Sequence, residues 1–140
     1  MKSNLAKIAQ QKKIKYFLIS FVDLFGIQRA KLVPARAISD MQKTGAGFGG
    51  FATYLDLDFA APDMFAVPDP ESLIQLPWQP DVGWLASDLV INNVPMDQCP
   101  RVILKKQINQ MTNLNFKMMT GVECEFFILN EEGTEVADSR

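Results

Sequence analysis

The chain has 140 residues, 48% hydrophobic and 21% charged, and this composition excludes a disordered tail, a collagen-like repeat and a disulfide-rich mini-protein. The 14 basic residues are outnumbered by 16 acidic ones, which argues against nucleic-acid binding. No histidine is present, so Ser-His and Cys-His nucleophile pairs and imidazole zinc sites are excluded, and carboxylates are the expected chemical groups.

The first part of the chain predicts a helix followed by a β-hairpin. Residues 4–12 have apolar side chains at the spacing of a short amphipathic helix. The aromatic and β-branched run at 16–22 and the alternating run at 27–33 predict two strands. Gly26 allows the turn between them, and Pro34 ends the second strand.

The middle of the chain predicts a small sheet domain. Helical spacing over 35–44 is followed by a glycine-rich loop at 45–50, which is either a simple connection or a mobile flap over a ligand. Five prolines between 53 and 80 allow only short extended pieces. Residues 81–91 predict a further strand, in which Gly83 suggests a β-bulge. These elements predict a compact α+β domain.

A change in pattern after Pro100 predicts a second domain. Residues 101–113 have helical periodicity, 116–129 form an extended apolar stretch, and 131–134 give a hairpin turn signal. A strand after such a turn would have to return, but the sequence stops at Arg140. We therefore expect a truncated second domain.

Two glutamates in the predicted strand at 116–129 are the candidate metal ligands. Residues i and i+2 of a strand share one face, roughly 7 Å apart, so Glu123 and Glu125 are predicted to point the same way. Two like charges at this distance need a cation, and carboxylate oxygens suit Mg²⁺ or Mn²⁺. The alternative is a solvent-facing strand with alternating charge.

The cysteines and the N-terminus predict a cytoplasmic protein. Cys99 and Cys124 lack CxxC spacing, and we expect two buried or half-buried free thiols rather than a disulfide. The N-terminus has no apolar core of a signal peptide, and no apolar run approaches the roughly 20 residues of a spanning helix. We therefore expect no membrane partner.

Three motifs resemble the glutamine synthetase family. Gly121-Val-Glu-Cys-Glu-Phe-Phe127 resembles the Gly-x-Glu-x-Glu-Phe-Phe strand that opens the family's catalytic domain. Residues 14–34 resemble the first hairpin of its β-grasp N-terminal domain. Pro62-Asp-Met-Phe-Ala-Val-Pro-Asp69 is similar to its Ser/Pro-Asp-Met-x-Leu-x-Pro-Asp segment. Together with the glycine-rich loop at 45–50, the pattern looks closest to the bacterial type III-like branch, which overlaps with γ-glutamylmethylamide synthetases.

This resemblance implies a fold and a reaction. The implied fold is a β-grasp N-terminal domain over residues 1–100, followed over residues 101–140 by the first helix and strand of a glutamine synthetase catalytic domain. In the implied reaction, ATP phosphorylates the γ-carboxylate of glutamate, and ammonia or a small amine displaces the phosphate. By the family pattern, Glu123 would bind the nucleotide-side Mg²⁺ or Mn²⁺ ion, and Glu125 the glutamate-side ion.

One position departs from the family pattern. Many members have an aspartate that binds and deprotonates ammonium in the loop that reaches the neighbouring subunit, and the corresponding position here is Gly49 or Gly50. The missing carboxylate favours a less charged or larger amine, such as methylamine. Phe48, Phe51 and Tyr54 would either wall an apolar slot for it or pack in the core.

The family also implies an assembly. Its active sites lie between neighbouring identical subunits of a ring, so the loop at 45–54 and the hairpin at 16–33 are expected to contact a neighbour. Trp78 and Trp84 are large apolar groups that suit either the core or an interface, and we expect both to lie in the core. The 140 residues alone are expected to lack synthetase activity, because most of the family's site residues follow the equivalent of Arg140. The alternative function is a stand-alone β-grasp module for protein interaction.

Overall fold

Among residues 3–137, which are those that the computed structural model describes, the fold consists of three α-helices and a seven-stranded sheet. In chain order the strands are β1 (Tyr16–Val22), β2 (Gln28–Pro34), β3 (Ala46–Phe48), β4 (Met64–Pro68), β5 (Ile74–Gln75), β6 (Val82–Ile91) and β7 (Val94–Pro95). The helices are α1 (Leu5–Lys12), α2 (Ile38–Thr44) and α3 (Pro100–Asn113), and short 3₁₀ turns cover Ala35–Ala37, Gly50–Thr53 and Pro70–Ser72.

The long strand β6 holds the sheet together. The strand order is β2-β1-β6-β4-β3, and β5 and β7 also pair with β6. The β1–β2 pair is the predicted antiparallel hairpin. Strand β1 runs parallel to β6, with Phe17 opposite Gly83, whereas β4 runs antiparallel to β6. The mixed helix and sheet composition that the sequence predicts is confirmed.

The core lies between the sheet and the first two helices. Phe17 and Ile19 of β1 and Leu85 of β6 are fully buried, because alternate side chains of a strand face the same side. Leu5 of α1 and Ile38 of α2 close this core from the helix side. The position of the two helices therefore follows from their apolar faces, as the periodicity predicts.

The bulge suggested at Gly83 is wrong. Gly83 pairs in regular register with both Phe17 of β1 and Gln75 of β5. The glycine is explained by packing, since a Cβ atom there would lie 3.0 Å from the Phe17 ring and 2.9 Å from a Leu73 methyl. A large buried ring in the adjacent strand thus occupies the space that a side chain at 83 would need.

The expected core position of the tryptophans is wrong for Trp78. Its side chain is 79% exposed, because it lies in the turn between β5 and β6 and not on a strand face. Trp84 of β6 is half-buried. Cys99 and Cys124 are free thiols, as predicted, although Cys99 is buried and Cys124 is exposed.

We expect Gly45→Ala to destabilise the protein by about 2–3 kcal/mol. Gly45 ends α2 with φ at +84°, and a Cβ there would lie 3.0 Å from the backbone carbonyl of Ala66. The substitution therefore adds a backbone clash to the strain of a positive φ. Gly26→Ala is the matched control, because Gly26 has φ at +78° with open space around it and should cost only about 1 kcal/mol. Equal losses in urea unfolding would contradict the clash.

Candidate functional site

The two candidate metal ligands lie in a segment without regular structure. Residues 116–128 carry no strand, so the predicted strand over 116–129 is wrong. Backbone groups of a strand require a ladder partner, and within the described part of the chain this stretch has only one bridge, between Leu129 and Val136. Glu123 and Glu125 are therefore two residues apart on exposed chain, and not on one face of a sheet.

The predicted turn after this segment is confirmed. Gly133 has φ at +71°, and the Asn130 side chain accepts a hydrogen bond of 3.0 Å from the Thr134 N–H. The Ala137 N–H donates to the Ile128 carbonyl at 2.7 Å. The chain therefore does reverse here, but the pairing that follows is a single bridge.

The donor chemistry of Glu123 and Glu125 fits a hard divalent cation. Both residues are exposed, so their carboxylate oxygens are accessible, and oxygen ligands suit Mg²⁺ and Mn²⁺. Within residues 3–137, no group of three or more histidine, cysteine or acidic residues could hold a metal ion. These two carboxylates can supply part of a coordination shell, and the remaining ligands have to come from elsewhere.

The aromatic side chains of the loop at 45–54 do not surround one slot, because Phe48 packs against the core whereas Phe51 and Tyr54 are exposed. Phe48 is half-buried and packs edge-on against Phe21, with ring centroids 5.0 Å apart. Phe51 is half-exposed and lies 4.7 Å from the ring of Phe59. Tyr54 is 59% exposed. Each of the three rings of the loop thus has a different neighbourhood, so the structure does not bring them together as the walls of one pocket.

The tip of the β1–β2 hairpin contacts the loop at 45–54. The ring of Phe25 meets Tyr54 edge-on at 5.5 Å, and the Arg29 guanidinium lies over the same tyrosine ring at 5.4 Å. Arg29 is held in turn by the buried carboxylate of Asp23 at 2.9 Å. The sequence predicts a turn at 23–26 but not this contact, because the loop at 45–54 is distant in sequence.

Charged side chains fasten α3 to the sheet domain. Arg101 binds Asp88 at 3.0 Å and Asp69 at 2.5 Å, and Lys105 also pairs with Asp88. These carboxylates belong to β6 and to the cap of the 3₁₀ turn Pro70–Ser72. The four-residue network holds the start of α3 in a fixed orientation against the sheet.

We expect Asp88→Asn to destabilise the protein by about 1 kcal/mol at low salt, because it removes the charge that Arg101 and Lys105 share at a partly exposed site. The loss should shrink in 1 M salt, where the Debye length is about 3 Å. Asp97→Asn is the control, since the Asp97 side chain is 81% exposed and pairs with Lys106. Urea unfolding at both salt concentrations measures the difference, and an equal effect of the two substitutions would disprove the network.

Comparison with known proteins relates the chain to one enzyme family. Residues 97–140 match the family model described as "Glutamine synthetase, catalytic domain". Over 138 residues, the chain is 55% identical to a glutamine synthetase of Rhizobium leguminosarum bv. phaseoli, covering 99% of this chain and 32% of the relative. It is 34% identical over 136 residues to a glutamate–methylamine ligase of Methyloversatilis universalis, covering 92% of this chain and 30% of that protein.

Solved structures give the same relationship. A GmaS structure without ligand matches with a TM-score of 0.91 and 53% identity, covering 97% of this chain and 32% of that one. A GmaS/ADP complex matches with the same values. The chain thus spans about a third of the length of the relatives it matches. Among the described helices, none is long and apolar enough to cross a membrane.

Proposed function

We propose that this chain belongs to the glutamine synthetase family and is the N-terminal portion of an ATP-dependent ligase that joins glutamate to ammonia or a small amine. The observation that carries this proposal is the 55% identity to a glutamine synthetase over 99% of the chain. The GmaS structures agree with it, because one of them is an ADP complex. We place the protein in the cytoplasm, where ATP and glutamate are available.

The proposed reaction has two steps. The γ-carboxylate of glutamate attacks the γ-phosphorus of ATP, which forms γ-glutamyl phosphate and releases ADP. The amine nitrogen then attacks the γ-carbonyl carbon, and inorganic phosphate leaves with one of the original carboxylate oxygens while the nitrogen loses a proton. Both steps require positioned reactants more than a protein nucleophile.

We propose that Glu123 and Glu125 are metal ligands of the complete site, with Glu123 on the nucleotide side and Glu125 on the glutamate side. Their exposed carboxylates and their place in the family's Gly-x-Glu-x-Glu-Phe-Phe motif support this assignment. A bound Mg²⁺ or Mn²⁺ supplies charge neutralisation for the phosphate oxygens. In this chain the two residues contribute negative charge and oxygen donors, and the other ligands are expected outside residues 3–137.

The sheet domain is proposed to be the family's β-grasp N-terminal domain, covering residues 1–100. The parallel central pair of β1 and β6, flanked by β2 on one side, supports this assignment. Residues 101–140 are proposed to begin the catalytic domain. The family match at 97–140 supports a boundary close to residue 100.

Methylamine is the amine that we favour over ammonium. The loop has Gly49 and Gly50 where many family members have an ammonium-binding aspartate. Ammonium and methylammonium are both cations and both lack an electrostatic partner there, but the methyl group of methylammonium gains contact with apolar surface. The exposed rings of Phe51 and Tyr54 supply such surface in the same loop.

The assembly is proposed to be a ring of identical subunits. The exposed aromatic side chains Phe25, Phe51 and Tyr54 at the hairpin tip and in the loop support a subunit contact there. A full-length protein that remains monomeric and fully active at nanomolar concentration would contradict the ring.

The proposed function is tested by an assay of ADP release with the full-length protein. ADP release should require glutamate and an amine, and the specificity constant kcat/KM should be higher for methylamine than for ammonia. Omitting glutamate is the control for background ATPase activity. Absence of ADP release that depends on glutamate would disprove the ligase function and leave the interaction module as the explanation.

A further inference from the structure

The Asp23 carboxylate is a buried acceptor at the end of β1. Its side chain has no exposed surface. One oxygen, Oδ1, accepts hydrogen bonds of 2.9 Å from the N–H groups of Phe25 and Ile27, and Oδ2 accepts one of 2.9 Å from the Arg29 Nε–H. The carboxylate therefore fixes the turn of the hairpin and the direction of the Arg29 side chain together.

Arg29 links the hairpin turn to the loop at 45–54 through Tyr54. Its guanidinium lies 5.4 Å from the centroid of the Tyr54 ring, a distance at which a cation is attracted to an aromatic face. Phe25 meets the same ring edge-on. Two side chains whose positions depend on Asp23 thus hold one tyrosine from two directions.

Tyr54 has an unfavourable backbone conformation. Its φ and ψ angles of 53° and 42° lie in the left-handed region, which bulky residues rarely adopt. Its ring is also 59% exposed, so burial in the core does not maintain this conformation. The contacts of its ring with Arg29 and Phe25 contribute to holding it, and strained backbone of this kind clusters at functional sites.

We propose that Asp23 is a positioning residue, which through Arg29 holds Tyr54 and the loop at 45–54 in the place from which this loop meets the amine side of a neighbouring subunit's site. This inference rests on the proposed function, because it assigns a task to the loop within that assembly. Asp23 itself does not contact the reactants.

The ionisation of Asp23 is consistent with this role. Burial opposes its charged form, but the N–H of Ile27, the Arg29 guanidinium and the N–H of Phe25 together lower its pKa below the ordinary value. The carboxylate is therefore charged at neutral pH. The stability that depends on this charge is present above the ordinary pKa and is lost as the pH falls through the lowered one.

The first test measures the contact itself and does not depend on activity. In the full-length protein, Asp23→Asn should increase amide hydrogen exchange in the loop around Tyr54 about tenfold, because Arg29 loses its partner. Asp81→Asn is the matched control: Asp81 belongs to an exposed ion pair with Lys15 at 4.0 Å, and its substitution should leave exchange in the loop unchanged. Unchanged exchange in the Asp23 variant would overturn the proposal.

The second test measures the consequence for the amine. Tyr54→Leu removes the ring at an exposed position, where folding is not at risk. This variant and Asp23→Asn should each raise the KM for the amine about fivefold to tenfold and change kcat less than twofold, because phosphoryl transfer to glutamate takes place elsewhere in the site. The KM for glutamate should not change.

The outcomes separate this inference from the proposed function. A merely structural role of Asp23 would lower the yield or the fraction of active enzyme and so reduce kcat with an unchanged amine KM. That result, together with a wild-type amine KM in Tyr54→Leu, would overturn the positioning role while the wild-type enzyme remains a ligase. A wild-type protein without glutamate-dependent ADP release would instead reject the proposed function, and with it the task assigned to the loop.

Discussion

We expect Glu123→Gln and Glu125→Gln each to reduce the turnover of the full-length enzyme by about 100-fold or more. Glutamine has the size of glutamate but lacks the charge that a hard divalent cation requires of its ligands. On the proposed assignment, the loss of one ligand would weaken the neutralisation of the phosphate oxygens in the transition state.

The two variants should differ in which concentration, that of glutamate or that of the metal ion, must be raised to restore turnover. Glu125→Gln should chiefly raise the apparent KM for glutamate, and Glu123→Gln should chiefly raise the metal concentration needed for ATP-dependent turnover. Glu132→Gln is the matched control, because this exposed glutamate follows the same segment and should change stability or rate little. If either variant has the metal dependence of the wild type, the substituted glutamate is not a metal ligand.

Phe17→Ala is expected to destabilise the protein by about 3–5 kcal/mol. Phe17 is fully buried in β1 and its ring lies against Gly83 of the neighbouring strand. The glycine has no side chain that could fill the cavity, so the structure can close it only by moving the central pair of strands. The large cost follows from this lack of an alternative packing.

Urea unfolding measures the effect of Phe17→Ala. Phe59→Ala removes the same side chain at a position that is 87% exposed, and it should cost less than about 1 kcal/mol. If Phe17→Ala costs no more than this control, the central pair of strands is not the main site of core packing.

The sequence predicts those elements that depend on local pattern. The hairpin of β1 and β2 and the helices α1 to α3 follow from periodicity and from turn residues such as Gly26. The strand over 116–129 does not form, because a strand also needs a partner strand, and within residues 3–137 this segment has only the bridge between Leu129 and Val136. Trp78 is a second case in which the tertiary structure overrides the local pattern. Its apolar character predicts burial, but it lies in a turn and is exposed.

In the candidate site, too, local sequence patterns indicate some residues, whereas other contacts form only in the folded chain. The spacing of two glutamates and the surrounding motif single out Glu123 and Glu125 as candidate metal ligands, because both signals lie within seven residues of sequence, and their role stays a prediction. The contact from Asp23 through Arg29 to Tyr54 joins two separate segments, and only the fold brings them together. The ion pair between Asp23 and Arg29 could have been predicted, because an aspartate at a turn is followed by an arginine on the next strand.

The central claim is that the full-length protein activates glutamate as an acyl phosphate. Glutamate labelled with ¹⁸O in its γ-carboxylate tests this claim directly, when it is incubated with ATP, Mg²⁺ and methylamine and the released phosphate is analysed by mass spectrometry. Attack of the carboxylate on ATP followed by amine displacement predicts one ¹⁸O atom in each inorganic phosphate, in amounts equal to the γ-glutamylmethylamide formed. Unlabelled phosphate accompanying that product would contradict the acyl phosphate, and the absence of both products would contradict the ligase.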